Sequence, residues 1–257
     1  MNEPMDLEVG SAWFEGHFPG RPILPGVAQL ALVCDALTKA QGRPVPVNGI
    51  AFARMRQPVL PGEPLQLVAS MRADGTIRFA VTRAGSIVTN GELRTANPDP
   101  GTTPAIARSR HVVDHPAVET LLPHQPPMRF VAAILDQSTE HLTTEARIPP
   151  TCALATDGLV PAVAAIEAAA QTAALWEALR RVTAPESARP RVGYLVGLRD
   201  VRLHAARIPA GAAFVVSVRL EAATPPLAHY AMQVELEGKS VLDGTLATYL
   251  AEETLPG

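Results

Sequence analysis

The segment Pro161 to Val182 is the longest helical pattern in the chain. It begins PAVAAIEAAAQTAALW, with alanine or a larger apolar residue on nearly every face. A helix that is apolar all round belongs in an interior, and a sheet wrapped around it is the enclosure this chain can supply. Its first polar residues, Glu167 and Gln171, are four apart and so neighbours on one face. Glu167 is either buried or set on a narrow solvent-facing seam. Burial disfavours the charged form, so a buried Glu167 is expected to titrate higher than a free glutamate, as a general acid near neutral pH requires. Spacing leaves both readings open.

A second stretch carries a different signal. Gly16-His-Phe-Pro-Gly-Arg-Pro-Ile-Leu-Pro-Gly26 is a glycine- and proline-stiffened loop that presents one histidine, His17. It runs into the apolar segment Val27 to Leu37, about three helical turns long. Pro25 and Gly26 fall where a helix begins. An imidazole beside a helix N-terminus can make a base next to an anion-stabilising dipole. A tight turn with a structural histidine has the same spacing.

Around these two helices the layout repeats. Residues 5 to 10 read as a short strand. Strand-like runs then follow the first helix at Ile50–Leu60, Leu65–Arg72, Ile77–Arg83 and Ile87–Thr95, punctuated by Pro61-Gly62, Asp74-Gly75 and Ala84-Gly85. Residues 97–104, NPDPGTTP, have linker composition. Beyond them Leu121-Leu-Pro-His-Gln-Pro-Pro-Met128 leads into strand candidates at Arg129–Leu135 and Leu142–Ile148. The second helix comes next, then strands at Tyr194–Leu203, Phe214–Leu220, His229–Leu236 and Val241–Leu250. Gly49-x4-Arg54 is echoed by Gly197-x4-Arg202. The expected domains are residues 1–104 and 105–257, with helices over Pro25–Thr38 and Pro161–Arg181.

Composition excludes several classes of function. A formal charge of −3 leaves no nucleic-acid footprint. Hydrophobic residues make up 47%, yet polar interruptions leave no membrane span. The acidic MNEPMDLEVG has no apolar core of a signal peptide, so a cytoplasmic protein is expected, with Cys34 and Cys152 as reduced, buried thiols. His111 and His115, four apart, lack a convincing third ligand, and no metal is expected.

The string GHFPGRPILPGVAQL resembles the active-site segment of the hotdog-fold 3-hydroxyacyl-ACP dehydratases, and VPAVAAIEAAAQ resembles their helix motif. The first half is similar to one subunit of the heterodimeric dehydratases of aryl-polyene pathways. The second, through LPHQPPM, IEAAAQTAALW and YLVGLRDVRLHAARIPAG, is similar to the partner subunit. In that family a histidine is catalytic and an acid stands fourteen residues later on the central helix. Position 31 is Ala31, so the first half lacks its acid; counting back from Glu167 gives Ala153, so the second lacks its histidine. Ala162 replaces the usual glycine at the second helix start, and CALATDGL around Ala153 carries none of the histidine pattern.

The resemblance therefore implies an α+β double hotdog, two antiparallel sheets each wrapped around a helix and joined as a pseudo-dimer within one chain. A higher homo-oligomer stays open. One composite site, His17 with Glu167, would dehydrate 3-hydroxyacyl thioesters on acyl carrier protein to trans-2-enoyl thioesters, in fatty-acid-like or aryl-polyene biosynthesis. The Ala31/Ala153 position would be inert. His17 would be the base and the Gly26 N–H would face the thioester oxygen. Glu167 would protonate the departing hydroxyl, held by Gln171. Phe18 and Arg21 would bind substrate, Arg21 at a basic tunnel mouth with Arg54, Arg56 and Arg202 as weaker candidates. No cofactor is required. A hotdog acyl thioesterase and a non-catalytic acyl-carrier-binding module are the alternatives.

Overall fold

The computed structural model describes residues 3–96, 106, 118–182 and 191–252. The N-terminal half contains β1 (Met5–Leu7), a 3-10 turn at Ser11–Phe14, α1 (Gly26–Gln41), β2 (Gly49–Met55), β3 (Leu65–Met71), β4 (Thr76–Arg83) and β5 (Ser86–Arg94). The C-terminal half opens with the single turn α2 (Val118–Leu121), then β6 (Val131–Gln137), β7 (His141–Arg147) and β8 (Leu159–Pro161). A 3-10 turn at Ala162–Ala164 leads into α3 (Ala165–Val182), followed by β9 (Arg191–Leu203), β10 (Arg207–Pro209), β11 (Ala213–Thr224), β12 (Leu227–Leu236) and β13 (Lys239–Glu252).

Alternation sets the strands. Along β3, Leu65, Leu67 and Ala69 point into the core while Gln66, Val68 and Ser70 face out, the period of two that a one-sided sheet demands. Gly75, at φ 81°, turns β3 into β4, and the Asp74 side chain accepts the Thr76 N–H at 2.9 Å. Helix α1 stops at Gly42 in the left-handed conformation, φ 64°, a stop that glycine makes without steric cost.

The strands form one eleven-stranded sheet in the order β1-β3-β4-β5-β2-β9-β13-β12-β11-β7-β6, every neighbouring pair antiparallel; β8 and β10 pair separately. The two halves meet at β2 and β9. There the repeated Gly-x4-Arg segments lie against each other, Gly49 opposite Arg202 and Arg54 opposite Gly197. The echo in the sequence is thus the seam of the pseudo-dimer, two equivalent strands paired about a local twofold axis. A methyl group at Gly49 would stand 2.7 Å from the Val201 carbonyl oxygen, so that approach requires glycine.

Each half curls around its own helix. Helix α1 buries Val27, Leu30, Val33 and Leu37, and α3 buries Ile166, Ala168, Ala169, Ala173, Leu175 and Trp176. The alanines let the sheet close tightly on α3. Where a large side chain enters, its polar atom finds a partner: Trp176 Nε1 donates to the Ser138 carbonyl at 3.2 Å, and the Tyr230 hydroxyl to Glu177 at 2.7 Å.

The expected layout is present, with differences at element ends. Helix α1 runs three residues past Thr38, to its glycine stop. Pro161 closes a strand rather than opening a helix; one 3-10 turn separates it from α3. The expected strand Ile50–Leu60 ends at Met55. Proline at 58 has no N–H for the ladder, and Arg56 and Gln57 both direct their N–H groups at the Val88 carbonyl instead. His111 and His115 lie outside the described residues.

Candidate active site

The loop at Gly16–Gly26 is wound so that its histidine faces inward. Gly16 has φ 73°, and Phe18, unusually for a bulky side chain, has φ 54°. His17 is buried, and its Nδ1 lies 2.7 Å from the Ile23 carbonyl oxygen. A carbonyl only accepts, so Nδ1 carries the proton and Nε2 is left with its lone pair. Burial is the main cause that holds the His17 pKa at about 4, well below an ordinary imidazole; Glu167 pulls it back up only in part. A neutral imidazole with an open Nε2 is the form a base needs.

Glu167, in the first turn of α3, is also buried, and its Oε1 lies 3.9 Å from His17 Nε2. Gln171 donates to Oε1 at 3.2 Å and to the Met128 carbonyl at 2.7 Å, while its own oxygen accepts the Phe130 N–H at 2.9 Å. It thus fixes the carboxylate and ties α3 to the loop before β6. The expected rise in the Glu167 pKa is not found. Burial pushes it up, but the N–H of His124, the charges of His17 and His124 and the Gln171 amide outweigh burial and hold it at about 2. Counting burial alone omitted these donors.

His124 is the site residue that the sequence reasoning missed. It is buried, its Nε2 lies 3.4 Å from Glu167 Oε1, and its ring packs on His17 and Phe18 with centroids 5.2 and 4.9 Å away. The signal was present: a histidine in a proline-rich loop, as His17 is, in the segment LPHQPPM. That loop is docked on the His17 loop, the Gln125 N–H donating to the Gly16 carbonyl at 2.8 Å. Among the described residues, His17, His124 and Glu167 are the one group of potential metal ligands whose donor atoms converge, all within 4.8 Å of one another.

These groups line a cavity of about 630 Å³ between the halves. Phe18, Arg21, Gly26 and Gln29 come from the first half, with the wall Met55–Pro58 and Leu60 that had been expected to continue a strand. From the second come one face of α3 (Glu167, Ala170, Gln171, Ala174), Gly193–Val196 of β9 and Thr248, Tyr249 and Ala251 of β13. Phe18 stacks toward Tyr194, centroids 5.3 Å apart. Gly26 is the first residue of α1, where an N–H has no acceptor within the helix. A methyl group there would come within 3.1 Å of Met55.

Of the expected site residues, His17, Phe18, Arg21, Gly26, Glu167 and Gln171 all line this one cavity. Arg56 joins them, but Arg54 and Arg202 do not; Arg202 lies between strands, paired with Asp243. Ala31 and Ala153 are not part of the lining either. Both cysteines are unbonded; Cys152 is buried and Cys34 partly so, its thiol pushed up to about 12 by burial.

Among curated relatives, the 3-hydroxyacyl-[acyl-carrier-protein] dehydratase FabZ of Roseiflexus sp. (strain RS-1) is 36% identical over 94 residues, an alignment covering 34% of this chain and 64% of that protein. The FabZ of Acetivibrio thermocellus is 31% identical over 102 residues, covering 35% and 70%. The chain therefore spans about two thirds or less of several such relatives' lengths. Among solved structures, the dehydratase heterocomplex ApeI:P from Xenorhabdus doucetiae matches at TM-score 0.50 and 23% identity, over 55% of this chain and 95% of that one. The dehydratase domain of PpsC from Mycobacterium tuberculosis matches at TM-score 0.71 and 13% identity, over 96% and 92%. These likenesses show the double hotdog fold. The model of ApeI-like dehydratases matches residues 3–92, and that of ApeP-like dehydratases matches residues 116–255, more than half of the chain. The chain belongs to the ApeP-like dehydratase family and carries an ApeI-like unit ahead of that domain.

Proposed function

We propose that this chain dehydrates 3-hydroxyacyl thioesters, delivered on acyl carrier protein, to trans-2-enoyl thioesters at one site shared by units 1–104 and 105–257. The observation that carries this is the meeting of His17 from the first half with Glu167 from the second, 3.9 Å apart in a buried cavity. Neutral His17 takes the α-proton on Nε2. The Gly26 N–H, at the positive end of the α1 dipole, stabilises the oxyanion developing on the thioester. Phe18 forms the wall against which the acyl group is held. Glu167, steadied by Gln171, faces the β-hydroxyl as it leaves. Arg21, exposed at the rim, meets the acidic surface of the carrier. Ala31 and Ala153 offer no ionisable group, so the pseudo-symmetric position does no chemistry.

The test is a product assay with a panel of 3-hydroxyacyl carriers. Appearance of the conjugated enoyl thioester without release of carrier thiol is the expected outcome. Thiol release without the enoyl product would mean hydrolysis, the reading of a thioesterase. Neither product, together with pathway activity unchanged in His17→Ala, would mean a non-catalytic carrier-binding module.

A further inference from the structure

We propose that His17, His124 and Glu167 form a binding site for one transition-metal dication, Zn2+ by its donor set, and that the bound ion shuts the dehydration site. The shutting rests on the dehydratase reading above; the binding does not. The three residues are far apart in the chain. In the fold their donor atoms lie within 4.8 Å of one another, and all three side chains are buried. Glu167 Oε1 is 3.4 Å from His124 Nε2 and 3.9 Å from His17 Nε2. With bonds of about 2.0–2.1 Å, ligand atoms around a tetrahedral zinc stand roughly 3.3–3.4 Å apart. One pair has that spacing already, and the other is only slightly wider.

The surroundings aim these atoms as metal ligands are aimed. His17 donates its Nδ1–H to the Ile23 carbonyl at 2.7 Å, which leaves the Nε2 lone pair on the side of the cluster. Backbone carbonyls take this place behind metal-bound histidines, fixing tautomer and ring orientation. Gln171 donates to Glu167 Oε1 at 3.2 Å and is itself held by the backbone of Met128 and Phe130. His124 Nδ1 has no partner. The ring's polar contact is therefore with Glu167 alone among the described residues, and exchanging it for a metal bond gives up no other.

Two imidazoles and one carboxylate suit zinc and its neighbours, whereas Mg2+ and Ca2+ want more oxygens than this cluster offers. A fourth position opens on the cavity of about 630 Å³, where water completes the shell. Once bound, the ion takes the Nε2 lone pair that removes the α-proton and the oxygen that faces the leaving hydroxyl. Base and acid are lost together. The ion also ties His17 of the first half to two residues of the second, so zinc should raise the melting temperature. Elsewhere among the described residues, histidine meets one carboxylate at a time, His141 with Asp136 and His204 with Asp243.

The test uses the full chain without an affinity tag. Zn2+ binding is measured by competition with a chromophoric chelator, and Co2+ reports coordination through its visible bands. One equivalent is expected, with the intense bands of four-coordinate cobalt and a raised melting temperature. Inhibition of dehydration should track occupancy and be reversed by EDTA, and Mg2+ at the same concentration should do none of this. His17→Gln, His124→Gln and Glu167→Gln are checked for folding by circular dichroism. Each should weaken Zn2+ binding by more than the about 10–100-fold expected of Gln171→Leu, which removes an outer partner. His204→Gln, and His111→Gln combined with His115→Gln, should bind as wild type does. No stoichiometric binding, binding that survives the three ligand changes, or binding lost with the controls would overturn the proposal. So would six-coordinate cobalt, or an ion that binds without slowing dehydration. A wild type that binds zinc as expected but never forms enoyl product would overturn the dehydratase reading, and the shutting with it, while supporting the metal site.

Discussion

His17 and Glu167 are buried in opposite senses. Burial drives His17 toward neutrality, whereas the donors around Glu167 overcome burial and keep it ionised. The two respond differently to acid. A histidine whose pKa falls from 6.5 to about 4 on folding lets the unfolded chain bind a proton first. Stability is then lost as pH falls through 6.5 toward 4. Between pH 7 and pH 5 this amounts to about 2 kcal/mol. Glu167 has its folded pKa depressed, so its contribution persists until pH falls below 4.5 toward 2 and adds little to that window. Urea denaturation of wild type and His17→Gln at the two pH values should therefore show a wild-type loss larger by about 2 kcal/mol. Equal losses would mean that His17 is not held neutral.

At the scale of elements, the site depends on two proline-stiffened loops pressed together and on one helix face cleared of bulk. Gly16 is the contact between the loops. Its φ of 73° and a methyl position 2.1 Å from the Gln125 carbonyl oxygen leave no room for a side chain. Gly16→Ala should cost about 1–3 kcal/mol, the scale of a strained backbone. It should also lower kcat more than KM changes, because His17 and His124 are displaced from each other. A variant with wild-type melting temperature and rate would show the contact to be dispensable. On α3, Ala170 and Ala174 leave space beneath Gly193, where a methyl group would lie 3.8 Å from Ala174 Cβ. Ala174→Leu should lower kcat/KM for long acyl chains by about 10-fold or more, and for a four-carbon chain far less. Equal effects on both would place the acyl chain elsewhere.

Much at this scale was legible in the sequence. The apolar circumference of α3 demanded enclosure, and the alternation in strands such as β3 left one way to supply it. What sequence could not carry was proximity. Arg56 to Leu60 extend the run from Ile50 up to the Pro61-Gly62 break, so they read as strand; in the fold Arg56, Gln57, Pro58 and Leu60 wall the cavity, because Pro58 cannot join a ladder. His124 looked like a loop histidine until the docking of Gln125 on Gly16 brought it to Glu167. The Glu167 pKa was misjudged for the same reason, its donors coming from distant segments.

For the whole molecule, one sheet runs through both halves by way of β2 and β9, and the cavity takes residues from each. The carrier should approach at the rim beside Arg21. Arg21→Glu should raise KM for a carrier-bound substrate more than for a pantetheine substrate, with the difference shrinking as salt is added. Equal effects would place Arg21 in the chemistry or the fold instead. The central claim is that each half gives one member to a single site. It is tested most directly by a double-mutant cycle, measuring kcat/KM on one 3-hydroxyacyl carrier for His17→Ala, Glu167→Ala and the double variant. Residues acting on one transition state are strongly non-additive. Each single change should thus cost about 1,000-fold and the double little more than the worse of the two. Losses that multiply, or near-wild-type activity in either single variant, would contradict a shared site.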